Sequence, residues 1–176
     1  MATQALKERT MMVRLAMAGM AALLLAGCGS EGSGTVEGEN GEVAHYKVDE
    51  SSGEVNATLE TADGTATMRS GADVPVELPR GFTIYPGAEV TTNTVFEQAD
   101  ANGALVTMKA EASPEEMVAF YRKQAEAAGV EISLNMNTDT MQMIGGDAPD
   151  GATFSFTSTR KDDGTTAQLM VGEAFR

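Results

Sequence analysis

Few residues in this chain have side chains that could do chemistry. Its 176 residues include one cysteine, Cys28, and one histidine, His45. A single cysteine cannot form an internal disulfide, and one cysteine with one histidine cannot supply the ligands of a structural zinc site. The composition therefore excludes disulfide scaffolds and multi-histidine metal sites. We expect no metal site and no cofactor.

The sequence also lacks the usual motifs of catalysis. His45 lies between Ala44 and Tyr46 in a predicted strand, without the oriented partner that a general base needs. No G-x-S-x-G nucleophile elbow is present. A carboxylate pair for glycoside cleavage stays open, because acidic residues are abundant and sequence does not give their separation in space. We assign no catalytic residue and expect a protein that is not an enzyme, with a hydrolase as an alternative.

Two further sets of side chains offer metal ligands in principle. Acidic turns supply oxygens, but calcium needs about six to eight of them in a small volume, and no stretch matches the full calcium-loop pattern. Met141 and Met143 share one face of a predicted strand and could, with Met136, offer thioethers to copper(I). Turn formation and core filling are the simpler interpretations. The acidic turns are Asp100-Ala101-Asn102-Gly103, Asp147 with Asp150-Gly151, and Asp162-Asp163-Gly164.

The position of Cys28 indicates its chemistry. Residues 1–14 carry three basic side chains and one acidic side chain, and a 12-residue apolar run from Leu15 to Ala26 follows. This run is shorter than the roughly 20 residues that a bilayer-spanning helix needs. A basic segment followed by an apolar run of this size is typical of a secretory signal peptide.

The apolar run ends in Leu25-Ala26-Gly27-Cys28, which resembles the lipobox of bacterial lipoproteins. The resemblance implies cleavage after residues 1–27, a diacylglycerol thioether on Cys28 and acyl chains such as palmitate. Two or three chains would form a lasting anchor, whereas one binds only marginally. Gly29 stands where an Asp retains many such proteins in the inner membrane, which implies the periplasmic face of the outer membrane. The alternative is an ordinary buried thiol.

The charge of the chain excludes another class of partner. Removing residues 1–27, with their one acid and three bases, leaves 25 acidic and 9 basic side chains, a net charge of −16. Nucleic-acid binding needs clustered Lys and Arg, so we expect no nucleic-acid partner. The charge also disfavours anionic lipid head groups and permits a basic protein.

After the signal peptide, composition divides the chain into three parts. Glycine and acidic residues dominate the first part, which buries too little surface to offset its ordering entropy. In the second part, Val55, Ala57 and Leu59 alternate with polar residues, the period of a half-buried strand. The parts are a flexible tether, a short β meander that packs on or extends the following sheet, and an α+β domain, over residues 28–41, 42–73 and 74–176.

The clearest predicted element is a helix over about 113–128. Ser113-Pro114-Glu115-Glu116 combines an N-cap serine, a proline at the first helical position and a glutamate at the third, which is a capping box. Gly129 is placed to end the helix. Met117, Phe120 and Tyr121 share one face.

Strands are predicted on both sides of this helix. A hairpin turn at Asp100–Gly103 and a connector at 145–151 separate two pairs of them. One helix against a mainly antiparallel sheet is the economical fold for this order, so the predicted class is α+β. The predicted strands are Phe82–Tyr85, Glu89–Glu97, Ala104–Ala110, Val130–Met136, Thr140–Ile144, Thr153–Arg160 and Thr165–Glu173.

A second resemblance covers about 45 residues, from Tyr85 to Gly129. Tyr85-Pro86-Gly87-Ala88, a hairpin and the segment Ser113-Pro114-Glu115-Glu116-Met117-Val118-Ala119-Phe120-Tyr121-Arg122 are similar to a pattern in small uncharacterised bacterial envelope lipoproteins. The resemblance implies a shared fold and no particular activity.

These features predict a lipid-anchored, non-catalytic envelope lipoprotein that faces the periplasm. Its expected partners are the membrane, through the anchor, and an envelope protein or a small apolar ligand. One alternative is a carrier or sensor of an apolar ligand, with Phe120 and Tyr121 lining a groove between helix and sheet. That alternative requires an enclosed pocket of roughly several hundred Å³. The other alternative is an envelope hydrolase.

Overall fold

Ten strands form one antiparallel sheet. The computed structural model of the chain describes residues 32–38, 42–61, 64–98 and 101–173. The strands are β1 Ser33–Glu37, β2 Val43–Val48, β3 Val55–Thr61, β4 Gly64–Gly71, β5 Glu89–Gln98, β6 Ala101–Ala110, β7 Glu131–Asn137, β8 Met141–Asp147, β9 Thr153–Lys161 and β10 Gly164–Gly172. Their order across the sheet is β1-β2-β3-β4-β5-β6-β10-β9-β8-β7. Only the β6–β10 pair joins strands that do not follow each other along the chain.

The helix α1, Pro114–Ala127, follows β6 and packs against β7, β8 and β9. It begins with the predicted capping box, in which Ser113 Oγ accepts from the Glu116 N–H and the Glu116 carboxylate accepts from the Ser113 N–H. Gly129 follows the helix with φ +81°, a conformation that glycine adopts without strain. The predicted class, a mainly antiparallel sheet with one packed helix, is confirmed for the described residues.

The core lies between α1 and one face of the sheet, which we call the inner face. Val106, Leu169, Phe156 and Ile144 are direct cross-strand neighbours from β6 to β8, and all four are fully buried. From the helix, Met117, Tyr121 and Ala125 pack on them and are equally buried. Burial of these apolar side chains holds α1 on the sheet.

The prediction of a strand at Phe82–Tyr85 is wrong. These residues form an irregular segment after a 3₁₀ turn at Pro79–Gly81. The Thr83 N–H donates to Gln124 Oε1 at 2.7 Å, and the Tyr85 N–H donates to the Tyr121 hydroxyl at 3.0 Å. Side chains of α1 therefore satisfy the backbone donors that a strand would pair with a neighbour.

The prediction of a flexible tether over 28–41 is wrong for Ser33–Glu37. This segment is β1, an edge strand paired with β2 from Ser33 opposite Lys47 to Glu37 opposite Val43. The expectation weighed only the side-chain surface that the segment could bury. Backbone hydrogen bonds to an available strand edge do not require apolar side chains. Residues 1–27, with the predicted signal peptide, and the tether residues 28–31 and 39–41 lie outside the described residues.

The β meander of 42–73 extends the sheet of the domain. β4 pairs with β5, and Met68 lies opposite Phe96. One continuous sheet thus crosses the predicted boundary at residue 73. This is the second of the two arrangements expected for the meander.

Two predicted turns are also shorter than expected. Ala101, Asn102 and Gly103 belong to β6, because Asn102 pairs with Glu97 instead of forming the hairpin turn. Gly145 and Gly146 belong to β8 instead of the connector. A Cβ atom on Gly146 would overlap the Glu131 carbonyl oxygen, so glycine there allows β7 to approach closely.

No helix in the described ranges combines the length and apolar character that crossing a membrane requires.

Replacing Ser113 by alanine removes the side chain that caps α1. We expect Ser113→Ala to lower the free energy of unfolding by about 1 kcal/mol, since the Glu116 N–H loses its acceptor. Ser133→Ala, at an exposed position of β7, is the matched control and should stay within about 0.5 kcal/mol of the parent. Urea denaturation measures both, and equal midpoints for the two variants would contradict the capping role.

Candidate functional site

Tyr121 is at the centre of the contact between helix and sheet. Its side chain is fully buried, and its ring packs on Phe156 with the ring centroids 4.3 Å apart. Its hydroxyl accepts from the Tyr85 N–H and donates to Met108 Sδ at 3.4 Å. Burial raises the pKa of the Tyr121 phenol to about 12. The residue therefore joins the helix, the 82–85 segment and the sheet in one contact.

The side chains predicted to line a groove instead fill this core. Phe120 is half-buried and lies edge-to-face against both Tyr85 and Tyr121, each with ring centroids 5.1 Å away. Met108 and Met117 are fully buried beside Tyr121. The space beneath α1 at these residues is thus occupied by protein atoms, and a ligand held there would have to displace the helix.

A small pocket lies at the inner face of β4 and β5, where the chain at 74–77 crosses them. Its volume is about 90 Å³, and it is lined by Thr67, Arg69, Val74, Pro75, Glu77, Val95 and Glu97. At roughly 30 Å³ per liquid water molecule, the pocket holds only a few waters. It falls well below the roughly 300 Å³ at which pockets for organic ligands begin.

Arg80 holds the other end of the helix in place, and the sequence analysis did not identify it. Its φ of +59° is unusual for a residue with a side chain. Its guanidinium donates to the Ala128 carbonyl at 3.0 Å and forms an ion pair with Asp150. The hydrogen bond from Arg80 lowers the pKa of the Asp150 carboxyl below its usual value. Arg80 therefore joins two loops to the C-terminal end of α1.

The opposite side of the sheet, which we call the outer face, is not covered by the helix. Seven large apolar side chains of the described residues are between 36% and 45% exposed, and the strand registers place all of them on this face. They are Val36, Tyr46, Leu59, Phe96, Leu134, Met136 and Met170.

The apolar pattern changes faces along the sheet. In β6, β8, β9 and β10 the apolar residues of the core cluster point to the inner face, beneath α1 or beside it. In β3 the alternating Val55, Ala57 and Leu59 point to the outer face. Their direct partners on β4 are Ser70, Met68 and Ala66, which share that face with Thr94, Phe96 and Gln98 of β5. A strand with one apolar face normally buries that face. The apolar side of β2–β4 has no such cover within the described chain.

The outer face of β1–β4 carries no charged side chain among the described residues, whereas the later strands place Glu89 opposite Lys109 and Glu131 opposite Asp147 on it. A ladder of directly paired residues crosses it from β2 to β7 without an ionisable side chain. Its members are Val48, Val55, Ser70, Thr94, Leu105, Met170, Ser155, Gly145 and Leu134.

The inner face of the same early strands is charged. Glu37, Lys47, Glu60 and Arg69 all lie on it. In β1–β4 the charged residues are therefore sorted to the helix side, and the outer side is uncharged.

The predicted site residues lie in different places. Cys28, with Leu25, Ala26 and Gly27, is outside the described residues. His45 is exposed on β2, with its Nδ1 3.0 Å from Thr35 Oγ1 and no acidic partner among the described residues. Its position matches a surface residue and offers no general base with an oriented carboxylate.

The metal-ligand candidates divide in two. Asp147 ends β8, and Asp162 and Asp163 lie in the β9–β10 turn. Among the described residues no group of three His, Cys, Asp or Glu side chains could hold a metal ion. Met136 and Met143 are direct cross-strand partners on the outer face, and Met141 is two residues further along. The backbones of Met136 and Met143 are therefore neighbours, whereas Asp147 and Asp162–Asp163 lie at opposite ends of β9. Asp100 lies outside the described residues.

Residues 89–168 match a family model described as START domain-like. The matched segment runs from β5 into β10 and contains α1, and it spans less than half of the chain. It is similar to that family in the part that forms the helix-side core, while β1–β4 lie outside the match. No curated protein and no solved structure matches the chain.

Tyr121→Phe should remove a late step from the alkaline titration of the protein. The chain has three tyrosines, and unfolded tyrosine ionises near pH 10, so the folded state keeps the Tyr121 proton over a range in which the unfolded chain loses it. Stability from this source is full below pH 10 and falls as the pH rises from 10 towards 12. Phenolate absorbance at 295 nm should show a step near pH 12 in the parent that is lost in Tyr121→Phe.

The same variant should be less stable at neutral pH. Loss of the hydroxyl leaves the Tyr85 N–H without its acceptor, which costs about 1–3 kcal/mol of unfolding free energy. Tyr46→Phe, on the outer face, is the control and should change stability by less than about 0.5 kcal/mol. An alkaline titration of Tyr121→Phe that kept the step near pH 12 would show that another tyrosine is the buried one.

Proposed function

We propose that this protein is a lipid-anchored, non-catalytic binding module of the bacterial cell envelope, facing the periplasm. The observation that carries the proposal is the sequence Leu25-Ala26-Gly27-Cys28 at the end of a basic and then apolar leader. The only thiol of the chain stands at the position where lipoprotein processing requires one. Two or three acyl chains there would hold the protein on a bilayer, although a domain with a net charge of −16 favours water.

The folded part supports binding as the task of the module. The START domain-like match of residues 89–168 is compatible with a ligand-binding role. The outer face adds a second surface suited to contact, because uncharged apolar side chains are exposed there in a strongly acidic chain. The expected partner is accordingly another envelope component.

The pKa shifts of the acidic side chains have local structural causes. Hydrogen bonds from Ser51 and Ser52 lower the pKa of Asp49 in an exposed turn, and those from Ser113 lower the pKa of Glu116 at the helix cap. Each shift is explained by the turn or cap that contains the group. The proposal therefore assigns these carboxylates to folding and not to a reaction.

A carrier or sensor of a small apolar ligand is the second candidate, and the START domain-like match is the observation that favours it. The packing around Tyr121 sets a condition on this role. A ligand of ordinary size must separate α1 from the sheet, which would expose Tyr121 and return its pKa towards 10. Titration of the three tyrosines with and without a bound apolar probe such as anilinonaphthalene sulfonate would detect that opening.

The proposed location rests on Gly29 and Ser30, which follow the cysteine and lack the inner-membrane retention residue of the resembled lipoproteins. On this basis we place the anchor in the outer membrane. Density-gradient separation of the two membranes, followed by detection of the native protein, measures its location.

The anchor is tested by Cys28→Ser. The native protein should partition into a detergent phase and carry the mass of attached acyl chains, and the variant should retain its full leader and lack that mass. The matched control is the double variant Cys28→Ser with Ser30→Cys, which moves the only thiol by two residues and should stay unmodified. An unmodified Cys28 in the native protein, or a lipidated double variant, would contradict the lipobox interpretation.

A further inference from the structure

We infer that the outer face of β1–β5 lies on the surface of the bilayer that holds Cys28. The inference rests on the proposed function, because it uses the lipid anchor as its starting point. It adds an orientation to that function: the protein meets the membrane through a surface of its sheet as well as through its acyl chains.

The length of chain between anchor and sheet is the first argument. Ser33, the first residue of β1, is five residues after Cys28. At no more than about 3.6 Å per residue, the β1 backbone can start at most about 18 Å from the lipidated cysteine. β1 is the edge strand, so the anchor holds the β1–β5 end of the sheet near the membrane, whereas β7 is nine strand spacings, or about 43 Å, away across the sheet.

The distribution of side chains is the second argument. The end of the sheet nearest the anchor exposes Val36, Tyr46, Leu59 and Phe96 on the outer face. These residues lie on β1, β2, β3 and β5, outside the area that α1 covers. Apolar side chains with a tyrosine among them suit the boundary between head groups and acyl chains, where one end of the phenol is apolar and the other wet.

The charge sorting decides between the two faces. Contact through the inner face of β1–β4 would take Glu37, Lys47, Glu60 and Arg69 out of water. Contact through the outer face desolvates no charge along the ladder from Val48 to Thr94. A second copy of the chain on this face would bring another −16 charge close by, so the repulsion disfavours it relative to a zwitterionic lipid surface.

Single tryptophans test the orientation, because the chain has none of its own. Tyr46→Trp and His45→Trp place the probe on adjacent residues of β2, at the same distance from the anchor and on opposite faces. Each variant is purified in its native lipidated form and placed in phosphatidylcholine vesicles with brominated acyl chains. Since an interfacial apolar face sinks roughly 5–10 Å into the boundary, we expect at least about twofold stronger quenching at position 46 than at position 45.

A second pair keeps the test independent of how one variant folds. Phe96→Trp and Glu97→Trp repeat the comparison on β5, with position 96 on the outer face and position 97 on the inner face. Equal quenching within both pairs would overturn the inference. So would a tryptophan at 46 or 96 that is shielded from iodide but untouched by brominated lipid, because a protein then covers the face.

Mass spectrometry of the same samples separates the two proposals. If Cys28 carries lipid and the pairs are quenched equally, the orientation is wrong and the anchor stands. If Cys28 carries no lipid, both the anchor and the orientation fail.

Discussion

The register of one continuous antiparallel sheet is the constraint on which the rest of this structure depends. Side chains alternate between faces along each strand, and direct partners share a face, so each pairing fixes the side on which every neighbour lies. From β2 to β7 the pairing runs through all neighbouring strands. Val55 on β3 and Met170 on β10 are consequently placed on the same face, although a helix and six strands separate them in sequence.

The size of the helix decides which part of the sheet becomes a closed core. α1 has 14 residues and is about 21 Å long, whereas ten strands at about 4.8 Å span some 43 Å. One helix covers about half of such a sheet. Tyr121 and Arg80 fix it over that half, Tyr121 through the aromatic packing in its middle and Arg80 through the Ala128 carbonyl at its end. Over the half near β1 the helix covers neither face, and the chain at 74–77 crosses only the inner face of β4 and β5.

Local sequence signals predicted the helix and strand β3, whereas strand pairing in the sheet determines which face their side chains occupy. The capping residues Ser113 and Glu116 act within four residues of each other, so the start of α1 was predicted correctly from sequence. The alternation of Val55, Ala57 and Leu59 correctly predicted a strand. It did not reveal that this apolar side faces away from the helix, because that depends on pairing with β4 and β5.

Errors arose where a partner distant in sequence replaces the local preference. Phe82–Tyr85 is extended enough to be a strand, but Gln124 and Tyr121 on α1 accept its N–H groups. Glycine and acidic residues surround Ser33–Glu37 in the sequence and favour a flexible segment, yet the edge of β2 offers partners for its backbone hydrogen bonds. Gly146 was assigned to a connector because glycine favours turns, whereas the close approach of the Glu131 carbonyl is what excludes a side chain. None of these partners lies within the window in which sequence periodicity operates.

An acidic chain and an uncharged face have a common explanation if the protein works at a membrane. Acidic residues outnumber basic ones by 26 to 12, and this charge would keep the folded part away from anionic head groups. The outer face of β1–β4 would have to be free of that charge, since each ionised side chain placed on it would have to be desolvated on contact. A short attachment would make this requirement stricter. Only four residues lie between Cys28 and Ser33, so a lipid on Cys28 would leave the sheet little freedom to turn its charged side toward the bilayer. β1 joins the sheet by backbone pairing with β2 and by the contact between Thr35 and His45, both without charge on the outer face, where Val36 is its only large side chain.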